Sequence, residues 1–137
     1  MGIPTVDEVL GVDRNVFLAT AEGDQPRVRP VTMVKNEGSF YVITGSENAK
    51  THQIRKNAKV EVVTLVKHEE HTGYVRFDAI AKIITDSIIR ERVAKATSFF
   101  SEYFDSPNDP KYALIHLIPQ KGEYLKPGQM YPEPFTL

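Results

Sequence analysis

Groups that suit a phosphate monoester recur within residues 25–54. Arg29 offers a planar fork of donors and Lys50 a mobile positive charge. Thr44 and Ser46 add hydroxyl groups beside a loop and a helix start, where backbone N–H groups favour an anion. These residue types predict an anion site. The same residues also fit a solvated strand and a surface lysine, and composition alone does not decide between the two.

The strand that carries the arginines is predicted by the alternation of side chains over residues 27–35. Pro30 within this strand removes one ladder donor, so the strand is expected at an edge, at a bulge or beside a ligand. Both arginines point to the face opposite this proline. That face carries Arg27, Arg29, Val31 and Met33.

The other candidate groups follow in a second strand and a helix. A turn at residues 36–38 precedes a predicted strand over residues 39–44, which ends at Thr44. A short helix over residues 49–56 then carries Lys50. The strand end and the helix start are therefore expected to present their side chains to one place.

The rest of the chain reads mainly as strands. Residues 16–21 and, over part of their length, residues 59–67 are apolar enough to predict burial on both faces. A long helix over residues 88–104 is expected to pack one face on the sheet. Residues 112–118 and 122–126 are predicted to pair as a hairpin. About seven strands joined mostly by hairpins predict an antiparallel barrel or sandwich in a mainly β, α+β fold.

Composition excludes several classes of function. A length of 137 residues predicts one domain over residues 1–137. With 17 basic and 18 acidic residues, the net charge of -1 gives no global attraction to nucleic acid or to an acidic membrane. The chain has no cysteine and no apolar window near the length of a membrane span. We therefore expect a soluble, cytoplasmic protein with no nucleic-acid or membrane partner.

Motifs of other chemistries are missing or weak. His68 and His71 flank two glutamates between predicted strands, which fits a solvated hairpin tip better than a metal site. The chain has no nucleophile elbow, no Walker loop and no dinucleotide fingerprint. His52 is the titratable group nearest to the predicted anion site, but neither its position nor its neighbours assign it a catalytic role. No metal site is predicted, and the catalytic residues stay unassigned.

The stretch over residues 16–66 resembles the pyridoxamine 5'-phosphate oxidase-like family of FMN-binding split barrels. Within that family it is most similar to the small general-stress and nitroimidazole-resistance-like flavoproteins. The resemblance implies a six- to seven-stranded antiparallel split β-barrel with one substantial helix and short flanking helices. It rests on the order and spacing of residues 17–20, 25–31, 40–44 and 50–54.

The same resemblance implies FMN as the cofactor, with its phosphate near Arg29 and Lys50. It also implies a homodimer with cofactor sites at the subunit interface, and a small-molecule substrate or redox partner. Without a ligand, Lys50 is then expected to have no structural partner. Alternatives are a flavin carrier, sensor or electron-transfer protein without turnover, and a relative that uses deazaflavin or haem. The implied cofactor-binding residues are Arg27, Arg29, Pro30, Val31, Ile43, Thr44, Lys50 and Thr51.

Two departures separate the chain from true pyridoxamine phosphate oxidases. Ala49 stands where those enzymes carry an arginine before the phosphate lysine. Residues 127–137 lack the arginine-x-histidine pair that binds their substrate. The resemblance therefore implies an FMN-dependent oxidoreductase with an unassigned substrate rather than a vitamin B6 oxidase.

Overall fold

Seven strands and three α-helices make up the fold in a computed structural model, which describes residues 2–137. The predicted domain over residues 1–137 begins one residue outside this range and stays a prediction. The helices are α1 (Val6–Leu10), α2 (Ala49–Lys56) and α3 (Ser87–Ala96), and a 3-10 turn covers Phe100–Glu102. The strands are β1 (Arg14–Glu22), β2 (Gln25–Asn36), β3 (Ser39–Gly45), β4 (Lys59–His68), β5 (His71–Ile84), β6 (Tyr112–Leu125) and β7 (Glu133–Phe135).

The strands form one antiparallel sheet that closes on itself. Their order is β3-β2-β1-β4-β5-β6-β7, and β3 also pairs with β6, so six strands make a ring and β7 extends it. Closure removes most free sheet edges. The predicted antiparallel split barrel is confirmed. None of the described helices is long and apolar enough to cross a membrane.

The ring is split between β2 and β3. These strands pair only at the hairpin, where Val34, Lys35 and Asn36 face Tyr41, Phe40 and Ser39. Pro30 pairs with Phe17 of β1 but has no partner across the split, because the pairing with β3 ends four residues after it. Of the three predicted alternatives, an edge, a bulge or a position beside a ligand, the structure shows the edge, where a missing donor is tolerated.

The inward side chains of the ring form the main hydrophobic core. Val16, Leu18 and Met33 are at most 2% exposed, and for Met33 this agrees with the alternation predicted in β2. The expected burial of β1 and β4 on both faces is wrong for this chain, because Phe17 is 42% and Leu65 48% exposed. No described helix covers this outer face of β1, β2 and β4.

The long helix predicted over residues 88–104 ends earlier. α3 stops at Ala96, and Thr97 is extended, with its hydroxyl donating to Val93 O at 2.8 Å. This bond replaces the continuing helix ladder, as a β-branched hydroxyl residue can do. Phe99 and Phe100 then turn inward and pack against a second apolar cluster between α3 and the sheet.

The predicted hairpin of residues 112–118 and 122–126 is also wrong, because β6 runs unbroken through both segments. Pro119 and Gly122 resemble turn residues in sequence, but here they flank a β-bulge opposite Asp78 of β5. The Asp78 carboxylate accepts a bond from Lys121 N at 2.8 Å, which satisfies the bulged backbone. The bulge lets one strand serve as the partner of β5 from Tyr74 to Ile84.

Candidate functional site

A cavity of about 570 Å³ opens where β2 and β3 separate; we call it the split cavity. Four of the predicted cofactor-binding residues line it, and they come from three elements that meet only in the folded barrel. They are Val31, Ile43, Thr44 and Lys50. The remaining lining residues are Thr32, Val42, Gly45, Asn48, Phe99, Tyr103 and Phe104.

Within residues 2–137, Lys50 is the only lysine or arginine that lines this cavity, and it is 8% exposed. Its ammonium donates to Thr44 Oγ1 and to Asn48 Oδ1, both at 2.9 Å. The expectation that Lys50 has no partner without a ligand is therefore wrong. Burial lowers the pKa of Lys50 below its ordinary value, and the nearby charge of Arg29 lowers it further.

Asn48 has two tasks in this arrangement. Its side-chain oxygen caps α2 by accepting from Lys50 N at 3.3 Å, and the same oxygen accepts from the Lys50 ammonium. Asparagine is among the best N-cap residues, so the helix start fixes the position of this oxygen. The cap therefore also places the lysine.

Arg29 is half-buried and reaches across the barrel to α2. Its guanidinium donates to Leu18 O at 2.9 Å and to Gln53 Oε1 at 3.0 Å. The same Gln53 oxygen accepts from the Thr20 hydroxyl at 2.5 Å. Burial lowers the pKa of the Arg29 guanidinium, which nevertheless stays charged because arginine is not deprotonated in proteins.

These two cations share a region with no acidic partner. Across residues 2–137, no carboxylate lies within 4 Å of the charged nitrogens of Arg29 or Lys50, although lysine and arginine side chains form five ion pairs elsewhere. Charges withdrawn from water are costly unless they are paired. An anion bound between them would supply the missing partner.

Arg29 is not among the residues that line the split cavity, and three further predicted residues also lie outside it. Arg27 forms an exposed ion pair with Glu22 at 2.8 Å, and Pro30 faces solvent on the outer side of β2. Thr51 is fully buried and its hydroxyl donates to Gly45 O at 2.8 Å, which holds the loop between β3 and α2. Thr51 thus stabilises the loop before α2, and Arg27 is paired with Glu22 rather than with the other cations.

Two other polar residues singled out in the sequence lie apart from the cations. Ser46 donates its backbone N–H to Lys111 O at 2.8 Å. His52 lies on the exposed side of α2, with Nε2 3.1 Å from Glu47 Oε2, and lines a second cavity of about 540 Å³. Neither side chain lines the split cavity.

Sequence reasoning missed the two amide side chains that hold the cations and the aromatic wall of the split cavity. Gln53 lies three residues after Lys50, a helical spacing that places both on one side of α2, and Asn48 precedes the helix as its cap. Both signals were available in the sequence. The aromatic wall of the split cavity gave no such signal, because its members follow the early end of α3. They are Phe99, Tyr103 and Phe104.

Comparison with known proteins gives one family and several related structures. The family model described as pyridoxamine 5'-phosphate oxidase matches residues 4–126. No curated protein sequence matches the chain. A NimC/NimA family protein from Clostridium acetobutylicum is 26% identical and has a TM-score of 0.73, with 90% of this chain and 83% of that chain covered.

Two more distant structures share the fold. An FAD-binding protein from Mesorhizobium loti is 16% identical, with a TM-score of 0.70 over 93% of this chain and 97% of that chain. The haem storage protein HutZ from Vibrio cholerae is 20% identical, with a TM-score of 0.65 over 83% of this chain and 86% of that chain. The same barrel is therefore found in proteins with different cofactors.

Proposed function

Because the chain belongs to the pyridoxamine 5'-phosphate oxidase family, we propose that it is an FMN-binding oxidoreductase whose anion site holds the cofactor phosphate. One observation carries this proposal. Lys50 is buried and Arg29 half-buried, with only neutral oxygen acceptors around their charged groups. A phosphate monoester carries close to two negative charges at neutral pH, so it suits two such cations.

The split cavity also fits the ring of a flavin. Its lining combines aliphatic side chains of β2 and β3 with the aromatic residues Phe99, Tyr103 and Phe104. Cofactor sites are typically apolar with a few placed polar groups. Among the described residues that line this cavity there is no histidine, one of the side chains that ligate haem iron, and this supports a flavin rather than the haem of HutZ.

The proposed roles of the chain's own residues are binding and orientation. Arg29 and Lys50 would hold the phosphate, Thr44 would add a hydroxyl, and Val31 and Ile43 would border the ring. When bound, the flavin would supply hydride or electron transfer, chemistry that no protein side chain provides. We assign no general acid or base, and the substrate is proposed only as a small molecule or redox partner.

We further propose that the protein acts as a homodimer, with residues of the partner completing each site. The outer face of β1, β2 and β4 exposes Phe17 (42%), Val28 (68%) and Leu65 (48%), and Val28 and Leu65 each lie two residues from the position that pairs with Phe17. An uncovered apolar sheet face is a typical interface. One of these strands, β2, borders the split, so a second copy packed on this face would lie next to a strand that lines the cavity.

An absorption spectrum and a titration test the proposal. We expect the purified protein to be yellow, or to bind FMN saturably with one equivalent per chain. Reduction by NADH or NADPH in the presence of an acceptor then separates an oxidoreductase from a flavin carrier or sensor. Saturable binding of haem or deazaflavin with no uptake of FMN would contradict the cofactor assignment. Absence of turnover with every reductant would contradict the enzymatic one.

A further inference from the structure

We propose that Gln53 and Asn48 set the charge of the anion site, because their neutral amide oxygens orient Arg29 and Lys50 without neutralising them. The inference rests on the proposed function and deepens it. It assigns positioning roles to two residues that touch the cations and leaves the positive charge free for the phosphate.

The Gln53 amide is held in one orientation by its neighbours. Its oxygen accepts from Arg29 Nη2 at 3.0 Å and from the Thr20 hydroxyl at 2.5 Å. An amide nitrogen has no acceptor capacity, so only the oxygen satisfies these two donors. Gln53 and Thr20 are 8% and 4% exposed, so the bond between them is shielded from water and keeps the amide in place.

Asn48 plays the corresponding part for the lysine. Its oxygen lies 2.9 Å from the Lys50 ammonium and 3.3 Å from Lys50 N, so the cap and the cation share one acceptor. Thr44 supplies the second acceptor, again a neutral oxygen. Every side-chain acceptor of both cations is therefore an amide or a hydroxyl.

The same chain uses carboxylates for its cations elsewhere. Arg27 pairs with Glu22, and Arg76 pairs with both Glu61 and Glu123. A carboxylate in place of the Gln53 or Asn48 amide has nearly the same shape and accepts the same bonds. It would pair with the cation permanently and compete with an incoming phosphate.

Isosteric substitutions test the inference. Gln53→Glu and Asn48→Asp each add one negative charge and keep every acceptor, and aspartate is as good an N-cap as asparagine. Gln129→Glu, at an exposed position after β6, is the matched control for the change in net charge. The measurements are the dissociation constants of FMN and of riboflavin, which lacks the phosphate. The melting temperature without ligand and its rise with added inorganic phosphate complete the set.

We expect each site variant to bind FMN about 10- to 100-fold more weakly, the loss that follows when one charge-assisted contact is neutralised. Riboflavin affinity should be unchanged, the melting temperature without ligand should not fall, and stabilisation by inorganic phosphate should shrink. Gln129→Glu should behave as the wild type does. A merely structural role would instead lower the melting temperature and weaken FMN and riboflavin alike, and that outcome overturns the inference.

The remaining outcomes separate this inference from the proposed function. If the wild type binds FMN and both variants bind it with the same affinity, the inference is overturned and the proposed function stands. If the wild type binds no FMN, the proposed function fails, and the inorganic phosphate series decides the inference alone. Stabilisation of the wild type but not of the variants would then support a site for another anion. No stabilisation of the wild type would overturn the inference as well.

Discussion

The ammonium of Lys50 lies 2.9 Å from the hydroxyl oxygen of Thr44. The contact joins the end of β3 to the first turn of α2 across a loop of three residues, 46–48. Lys50 is only 8% exposed, and its acceptors are all neutral. The fold thus keeps a cation at the edge of the split cavity at a cost in desolvation, which a bound anion would offset.

Removal of the Lys50 charge should weaken FMN binding without lowering the stability of the protein. We expect Lys50→Met to cost about 1.5 to 3 kcal/mol of FMN binding free energy, the range for a charge-assisted hydrogen bond. The free energy of unfolding without ligand should not fall, because methionine keeps the apolar stem and removes a buried charge. Calorimetric titration and urea unfolding measure the two effects. Lys56→Met, at an exposed position on the same helix, is the control, and equal FMN affinities in the two variants would remove Lys50 from the site.

The guanidinium of Arg29 should matter for its shape as well as its charge. Arg29→Lys keeps the charge but loses the planar fork that reaches Leu18 O and Gln53 Oε1 together. We expect FMN affinity to fall about tenfold or more, since one contact of roughly 1.4 kcal/mol corresponds to a factor of ten. Arg27→Lys changes an exposed ion pair with Glu22 and should leave the affinity unchanged. The opposite ranking in an FMN titration would show that Arg27 is the arginine that binds.

Lys50 should contribute to the pH dependence of the unfolding free energy of the FMN-free protein. The pKa of Lys50 is lowered by burial and by the charge of Arg29 from an ordinary value of 10.5. Between the lowered pKa and 10.5 the unfolded chain binds more protons than the folded one, so this lysine makes stability rise with pH. The unfolding free energy of the wild type should therefore gain on that of Lys50→Met as the pH increases through this interval.

A comparison with Lys50→Met is needed because Tyr112 acts in the opposite direction. Burial raises the pKa of Tyr112 to about 12, so its contribution to stability is lost as the pH rises above its ordinary value of 10.0. The difference between the two proteins cancels that effect, which is common to both. Urea unfolding of each at a series of pH values gives the difference. A difference that stays constant with pH would contradict the assignment.

A charge on the uncovered outer face should break the proposed dimer. Phe17→Glu places a carboxylate at the centre of the apolar surface formed with Val28 and Leu65, and an unpaired charge in such an interface is strongly unfavourable. We expect sedimentation to show dimers for the wild type and monomers for the variant, with weaker FMN binding in the monomer. Ile88→Glu, at a 74% exposed position on α3, should remain dimeric. A monomeric wild type would contradict the proposal directly.

Local sequence by itself determined the bounds of α2 and the face of β2 that carries Arg29. The bounds of α2 follow from its Asn48 cap and from Asn57 at its end, and the observed helix covers Ala49–Lys56 as predicted. The alternation in β2 places Arg29 on the same side as the core residue Met33, because side chains in a strand alternate between faces whatever the partner strand is. Cap chemistry and the period of two act within a few residues, so one sequence suffices to predict them.

Only the tertiary structure decided what these groups meet. The partners of Arg29 are Leu18 on β1 and Gln53 on α2, 11 and 24 residues away along the chain. The split cavity exists because β3 leaves β2 and pairs with β6, and the early end of α3 directs Phe99 into its wall. Strand pairing and the burial of charge depend on segments far apart in sequence, and local propensity carries no information about which segments these are. The sequence therefore supplied the cations and their elements, and the closing of the barrel decided which neutral oxygens would hold them.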